Sequence, residues 1–153
     1  MANTNRETVR DELAATLSTA LTGAGNAYQA VYGYLTGDFS GQSPVLVVAS
    51  AGSDRPRLLA RQQRAATTLL AHFLFDLHTF VSREYSSGTW TEQDAEDQLD
   101  LCEKELADAI DGNQAGTSYT GLDYVSPSRI EPVVVGGEPY WMETVRVKVE
   151  AFG

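Results

Sequence analysis

The chain has 153 residues, 42% of them apolar, and a formal net charge of −10, with 21 Asp and Glu against 11 Lys and Arg. This length suits one domain over residues 1–153 with its own core, and the apolar share is too high for intrinsic disorder. The acidic excess argues against a general binder of nucleic acid or anionic membranes, no apolar run approaches the roughly 20 residues of a membrane span, and the first ten residues lack a signal-peptide stretch, so folding in a cytosol is expected.

Between positions 4 and 22, Val9, Leu13, Leu17 and Leu21 recur every fourth residue with Ala14 and Ala20 on the same flank, the pattern of an amphipathic helix. Thr4 or Asn5 is its expected N-cap, and Gly23 and Gly25 supply a left-handed stop. Residues 27–35, rich in Tyr and Val, read as a strand, and 36–44, with Gly37, Asp38, Ser40 and Gly41, read as a loop. An aliphatic run at 45–49 has the length of a buried strand, broken after it by Gly52, Asp54 and Pro56. Arg55, Arg57, Arg61 and Arg64 then fall within ten positions and predict an exposed arm.

Over 66–81 helix and strand compete. Alternation decides for a strand, with Leu69, Ala71, Phe73, Phe75, Leu77 and Val81 on one face and His72, Asp76 and His78 on the other. Thr91 and Asp94 form the capping pair of a second helix, whose buried stripe is Ala95, Leu99, Cys102, Leu106 and Ile110 and whose expected stop is Gly112. Its remaining surface is acidic, including Glu92, Glu96, Asp100 and Glu103. Asp108 and Asp111 oppose the dipole at its end, where a cation from elsewhere is expected. Strands follow at 119–125 and 129–135, then a Gly136-Gly137 hairpin turn and a cleanly alternating strand at 140–152. The sum is an α+β domain, a mainly antiparallel sheet covered on one face by two helices.

His72, Asp76 and His78 match a metal or acid–base site in residue type, but a strand places Asp76 and His78 roughly 7 Å apart along its axis, too wide to close a metal shell without a further ligand. A wet or pore-facing side of the sheet explains them better. Cys102 lies on an apolar stripe, Ser126 and Ser128 lack a nucleophile elbow, and Gly121, Gly136 and Gly137 form no phosphate loop before a helix. No catalytic residue, metal ligand or cofactor site is therefore assigned. The arginine arm and the acidic helix make the chain electrostatically two-sided, so that Arg55, Arg57, Arg61 and Arg64 of one copy could meet Glu92, Glu96, Asp100 and Glu103 of the next in a head-to-tail ring.

In element order and texture the chain resembles the tail terminator proteins of long-tailed bacteriophages. The likeness runs through the helix RETVRDELAATLSTAL, the stretch VYGYLTGDFSGQSPVLVVAS, the acidic helix TEQDAEDQLDLCEKELADAI and the final strand YWMETVRVKVEAFG. It implies a structural, non-enzymatic virion protein at the head–tail junction, assembled in the host cytoplasm. Such a subunit forms a homohexamer that caps the tail tube, stops its growth and meets the head-completion protein. DNA passes through without being bound by sequence, past about sixty net negative charges if six copies assemble. His72, Asp76 and His78 would then face the lumen, and the segments 37–43 and 53–64 would be contact arms. A neck adaptor of the head–tail connector is the alternative within this class. A small metal-dependent enzyme or ligand-binding domain built on His72, Asp76 and His78 is the alternative outside it.

Overall fold

The computed structural model describes residues 4–55, 70–83 and 90–152. The elements in chain order are α1 (Arg6–Leu21), β1 (Ala30–Tyr32), β2 (Val45–Asp54), β3 (Leu70–Ser82), α2 (Glu92–Gly112), β4 (Thr120–Tyr124), β5 (Arg129–Val135) and β6 (Glu138–Phe152). The sheet runs β1-β2-β3-β6, and β6 carries β4 and β5 end to end along its outer edge. β1 pairs parallel with β2, and every other pairing is antiparallel, so the expected α+β class with a mainly antiparallel sheet holds. Among the described residues no helix is long and apolar enough to cross a membrane.

Each helix starts where its side chains can satisfy the first-turn amides. The Glu7 amide donates to Asn5 Oδ1 at 2.8 Å, which settles the cap of α1 on Asn5. At α2 the Asp94 amide donates to Thr91 Oγ1 and the Thr91 amide to Asp94 Oδ2, the reciprocal pair read from the sequence. The far end of α2 differs from expectation. Gly112 is its last helical residue, and instead of a distant cation the side-chain amides of Asn113 and Gln114 donate to the carbonyls of Ala109 and Ile110, both at 2.7 Å. Asp108 pairs with Lys104 one turn back on the same helix.

The main core lies between the sheet and the two helices. Val9, Leu13 and Leu17 of α1 and Leu99, Cys102 and Leu106 of α2 pack on Phe73, Phe75 and Leu77 of β3 and Val145, Val147 and Val149 of β6. Burying each of the larger side chains contributes about 1.5–3 kcal/mol relative to exposure. Ala20, expected on the apolar flank of α1, is exposed.

Two boundaries and one loop differ from expectation for physical reasons. The first strand is only three residues, because Tyr28 turns inward ahead of it: its hydroxyl pairs with Thr79 Oγ1 at 2.7 Å and donates to the Cys102 carbonyl at 3.2 Å. β2 runs on to Asp54, since a bulge between Ser50 and Gly52 lets Gly52 adopt φ 151° without ending the ladder. The loop before β2 is no free arm: Phe39 folds onto the helix-free face and builds a second, smaller core with Val45, Val47, Phe80 and Tyr140. Gly136 and Gly137, at φ 57° and 82°, form the expected tight turn between β5 and β6.

Candidate functional site

Strand parity places His72, Asp76 and His78 on the helix-free face, as the alternation requires, but the structure does not bring them together. Each turns instead to its register partner on β6. Arg146 donates to both Asp76 carboxylate oxygens, from Nε at 2.8 Å and Nη2 at 3.1 Å. His72 Nε2 lies 3.2 Å from Glu150 Oε1, and Nδ1 lies 4.0 Å from Asp54 Oδ2 on the other side. His78 Nδ1 lies 2.8 Å from Thr144 Oγ1. Burial lowers the His78 pKa; the carboxylates of Asp76 and Glu131 pull it back up in part, and the Arg146 guanidinium adds to the lowering. Among the described residues no group of three His, Cys, Asp or Glu side chains is placed to hold a metal ion.

The Asp76–Arg146 and His78–Thr144 pairs floor an open hollow of about 280 Å³. Ser126, Pro127, Arg129 and Glu131 wall it where the outer edge of β6 passes from β4 to β5. Its walls are polar, and among its charged groups Asp76 pairs with Arg146 and Arg129 with Glu131.

A second hollow, about 290 Å³, lies on the other face between the first half of α2 and the β5–β6 hairpin. Glu92, Glu96 and Asp100 rim it, and Leu99, Ile130 and Trp141 supply its apolar part. At its end Arg83 stacks over the Trp141 ring at 4.6 Å and reaches Glu92 at 3.4 Å. Ile130 and Val134 on β5 are exposed, 52% and 72%, on an edge strand whose outer side has no partner among the described residues. Of the acidic residues singled out from sequence, Glu92, Glu96, Asp100 and Glu103 are all exposed on α2, and only Glu92 makes an ion pair among the described residues.

The arginine arm divides. Arg57, Arg61 and Arg64 lie outside the described residues. Arg55 sits at the end of β2, where it donates to the Thr4 carbonyl at 3.0 Å and lies over the Phe73 ring at 5.1 Å. Sequence reasoning missed the company it keeps. Arg6 and Arg10 of α1 line the same hollow, hydrogen-bonded to Ser53 and Ser50 of β2 at 2.9 and 3.1 Å. The available signal is two arginines one helical turn apart on the polar side of α1.

Also missed was Glu143, which occupies a core-facing position of β6 and is buried. Its carboxylate accepts a hydrogen bond from Ser128 Oγ at 2.7 Å. Burial raises its pKa, and Glu103 and Asp100 on α2 push it further in the same direction against the Ser128 bond. A Glu at a buried parity, between Trp141 and Val145, was the available sign.

No protein-family model matches the chain, and no curated protein matches it in sequence.

Proposed function

We propose that the protein is a structural subunit of a phage tail terminator, a homohexameric ring that caps the tail tube and presents the head-completion protein with a new surface. Its activity is binding, with no bond made or broken. The observation that carries this reading is the asymmetry of the sheet. Among the described residues both helices layer one face, while the other, beyond the Phe39 cluster, carries polar side chains that pair across β3 and β6, Asp76 with Arg146 and His72 with Glu150. A surface of that kind suits the wall of a DNA passage: it stays hydrated, and its arginine is already committed to a carboxylate, so it offers phosphate little to hold. The order of elements, helix, strands, acidic helix, strands, supports the same assignment.

Termination needs a subunit that matches the tube on one side and is non-self on the other. Electron microscopy of particles made without this protein tests the proposal. Overlong or headless tails are expected. Normal tails beside leaking heads would assign the protein to the neck adaptors instead, and complete virions would remove it from the head–tail junction. Purified protein added to polymerising tube subunits should shorten the tubes.

A further inference from the structure

Three arginines share one corner of the molecule, and among the described residues none of them makes an ion pair. Arg6, Arg10 and Arg55 hold only neutral oxygens, those of Ser53, Ser50 and Thr4. Arg10 Nε is shut off from solvent without an acceptor. In a chain with 21 carboxylates, three gathered and uncompensated guanidinium groups repel one another at a cost that a partner would relieve. Glu7 lines the hollow but pairs with none of them.

The complementary surface is on the same chain but out of its own reach. Arg55 lies over Phe73 near the start of β3, whereas the first turn of α2 is tied by Arg83 to Trp141, opposite Val81 at the end of β3. Eight residues of strand, roughly 26 Å, separate Phe73 from Val81 at the first turn of α2; the helix then runs back toward the start of β3, so its ridge is kept from the arginines chiefly by the width of the sheet. The two surfaces also belong to opposite lateral flanks, the arginines at α1 and β2 and the carboxylates above β6 and β5. Charge set on opposite flanks of one subunit pairs most directly between subunits.

We infer that the Arg6–Arg10–Arg55 corner of one copy receives the Glu96–Asp100–Glu103 ridge of α2 of a second copy in a head-to-tail contact. The spacing fits. Arg6 and Arg10 are one helical turn apart, as are Glu96 and Asp100, so two helices lying side by side oppose both pairs at a common rise of about 6 Å. Arginine is suited to the task because its planar fork grips a carboxylate with two parallel bonds. The occupant is a second copy's α2 rather than a phosphate backbone, since the chain itself carries the complementary ridge, Glu96, Asp100 and Glu103, exposed and without an ion pair among the described residues. Because the two patches differ, the contact is heterologous and its repetition gives a ring or a filament. This deepens the ring reading, naming the surfaces by which its copies join.

Charge reversal tests it on the whole chain, by sedimentation at low salt up to millimolar protein. One variant carries Arg6→Glu with Arg55→Glu, the other Glu96→Lys with Asp100→Lys; Arg55, Glu96 and Asp100 are exposed and Arg6 is half-buried, and circular dichroism checks folding. The wild type is expected to self-associate, each variant alone to do so at least about tenfold more weakly, and an equimolar mixture to recover association, because each variant then meets its complement. A wild type that stays monomeric throughout, variants that associate like it, or a mixture that fails to recover overturns the inference. So does an Arg6→Glu/Arg55→Glu variant that loses affinity for a DNA duplex while its self-association is unchanged. The tube-shortening assay keeps the two readings apart: shortening by a protein with no self-association sinks this contact alone, whereas self-association without shortening sinks the terminator.

Discussion

Glu143 is the residue where local chemistry and the fold are most at odds. Its buried carboxyl is held above the usual carboxylate range by burial and by Glu103 and Asp100, so the folded state keeps its proton more tightly than the unfolded chain does. A group raised in this way contributes stability below its unfolded pKa of about 4.3 that is lost as the pH rises through the folded value. At neutral pH the charge therefore costs stability. Glu143→Gln, which keeps an acceptor for Ser128, should raise the melting temperature at pH 7 by roughly 2–4 °C, about 1 kcal/mol, and leave it unchanged below pH 4. Tyr28 is the converse case, a buried polar group fully partnered. Tyr28→Phe should cost about 1–2 kcal/mol in urea unfolding, because Thr79 loses its partner in the core. Cys102 provides the probe for both measurements. Burial, with Glu105 nearby, pushes its thiol up to about 12, so a thiol reagent at pH 8 should label it only when the chain opens, at a rate that follows the global stability of each variant.

Among the elements, the join between α1 and the loop after α2 depends on one carboxylate. Glu12 accepts hydrogen bonds from the amides of Thr117 and Ser118 and from Ser118 Oγ, at 3.0–3.1 Å. Burial alone would raise its pKa, but these bonds outweigh it and the net direction is down. Its contribution is thus present above the unfolded carboxylate range and fades as the pH falls through the lowered folded value. Gly116 leaves room for it, since a Cβ there would collide with Glu12 Oε1 and the Tyr119 ring. Gly116→Ala should lower stability by about 1–3 kcal/mol, and Glu12→Ala by a similar amount, with the double variant losing less than the sum because both act on the same clamp; chemical denaturation of the four proteins measures it. None of this was legible in the sequence, where a Glu in α1 and a loop 100 residues later show no relation. What was legible is what periodicity encodes: the stripe of α2 from Ala95 to Ile110, the two faces of β3 from residue 70 onward, and the alternation of β6 are in place, while Leu69 and the rest of 66–69 lie outside the described residues. The length of β1 was lost to Tyr28, whose burial is tertiary, and the Phe39 loop was lost because a single aromatic among turn residues carries no period. The candidate site was half visible in the same way. Periodicity found the acidic face of α2, whereas the arginine corner is formed by α1 and the end of β2, which only the folded sheet brings together.

At the scale of the whole molecule, two electrostatic effects of opposite sign act on the same chain and salt separates them. The net charge of −10 makes the folded monomer repel itself, and screening relieves that repulsion. The head-to-tail contact runs the other way, because its charges attract and screening weakens it. In the Arg6→Glu/Arg55→Glu variant, whose net charge is −14, the melting temperature should therefore rise as salt is raised from low to physiological strength, with no assembly to offset it. The wild type at millimolar concentration should show the opposite balance at first, losing the stabilisation that association gives to its folded subunits before the monomer's own gain takes over. A calorimetric melting series over salt at two protein concentrations measures both terms. A wild-type melting temperature that climbs with salt at millimolar concentration just as the variant's does would leave the carboxylate ridge of α2 as a solvated surface and nothing more.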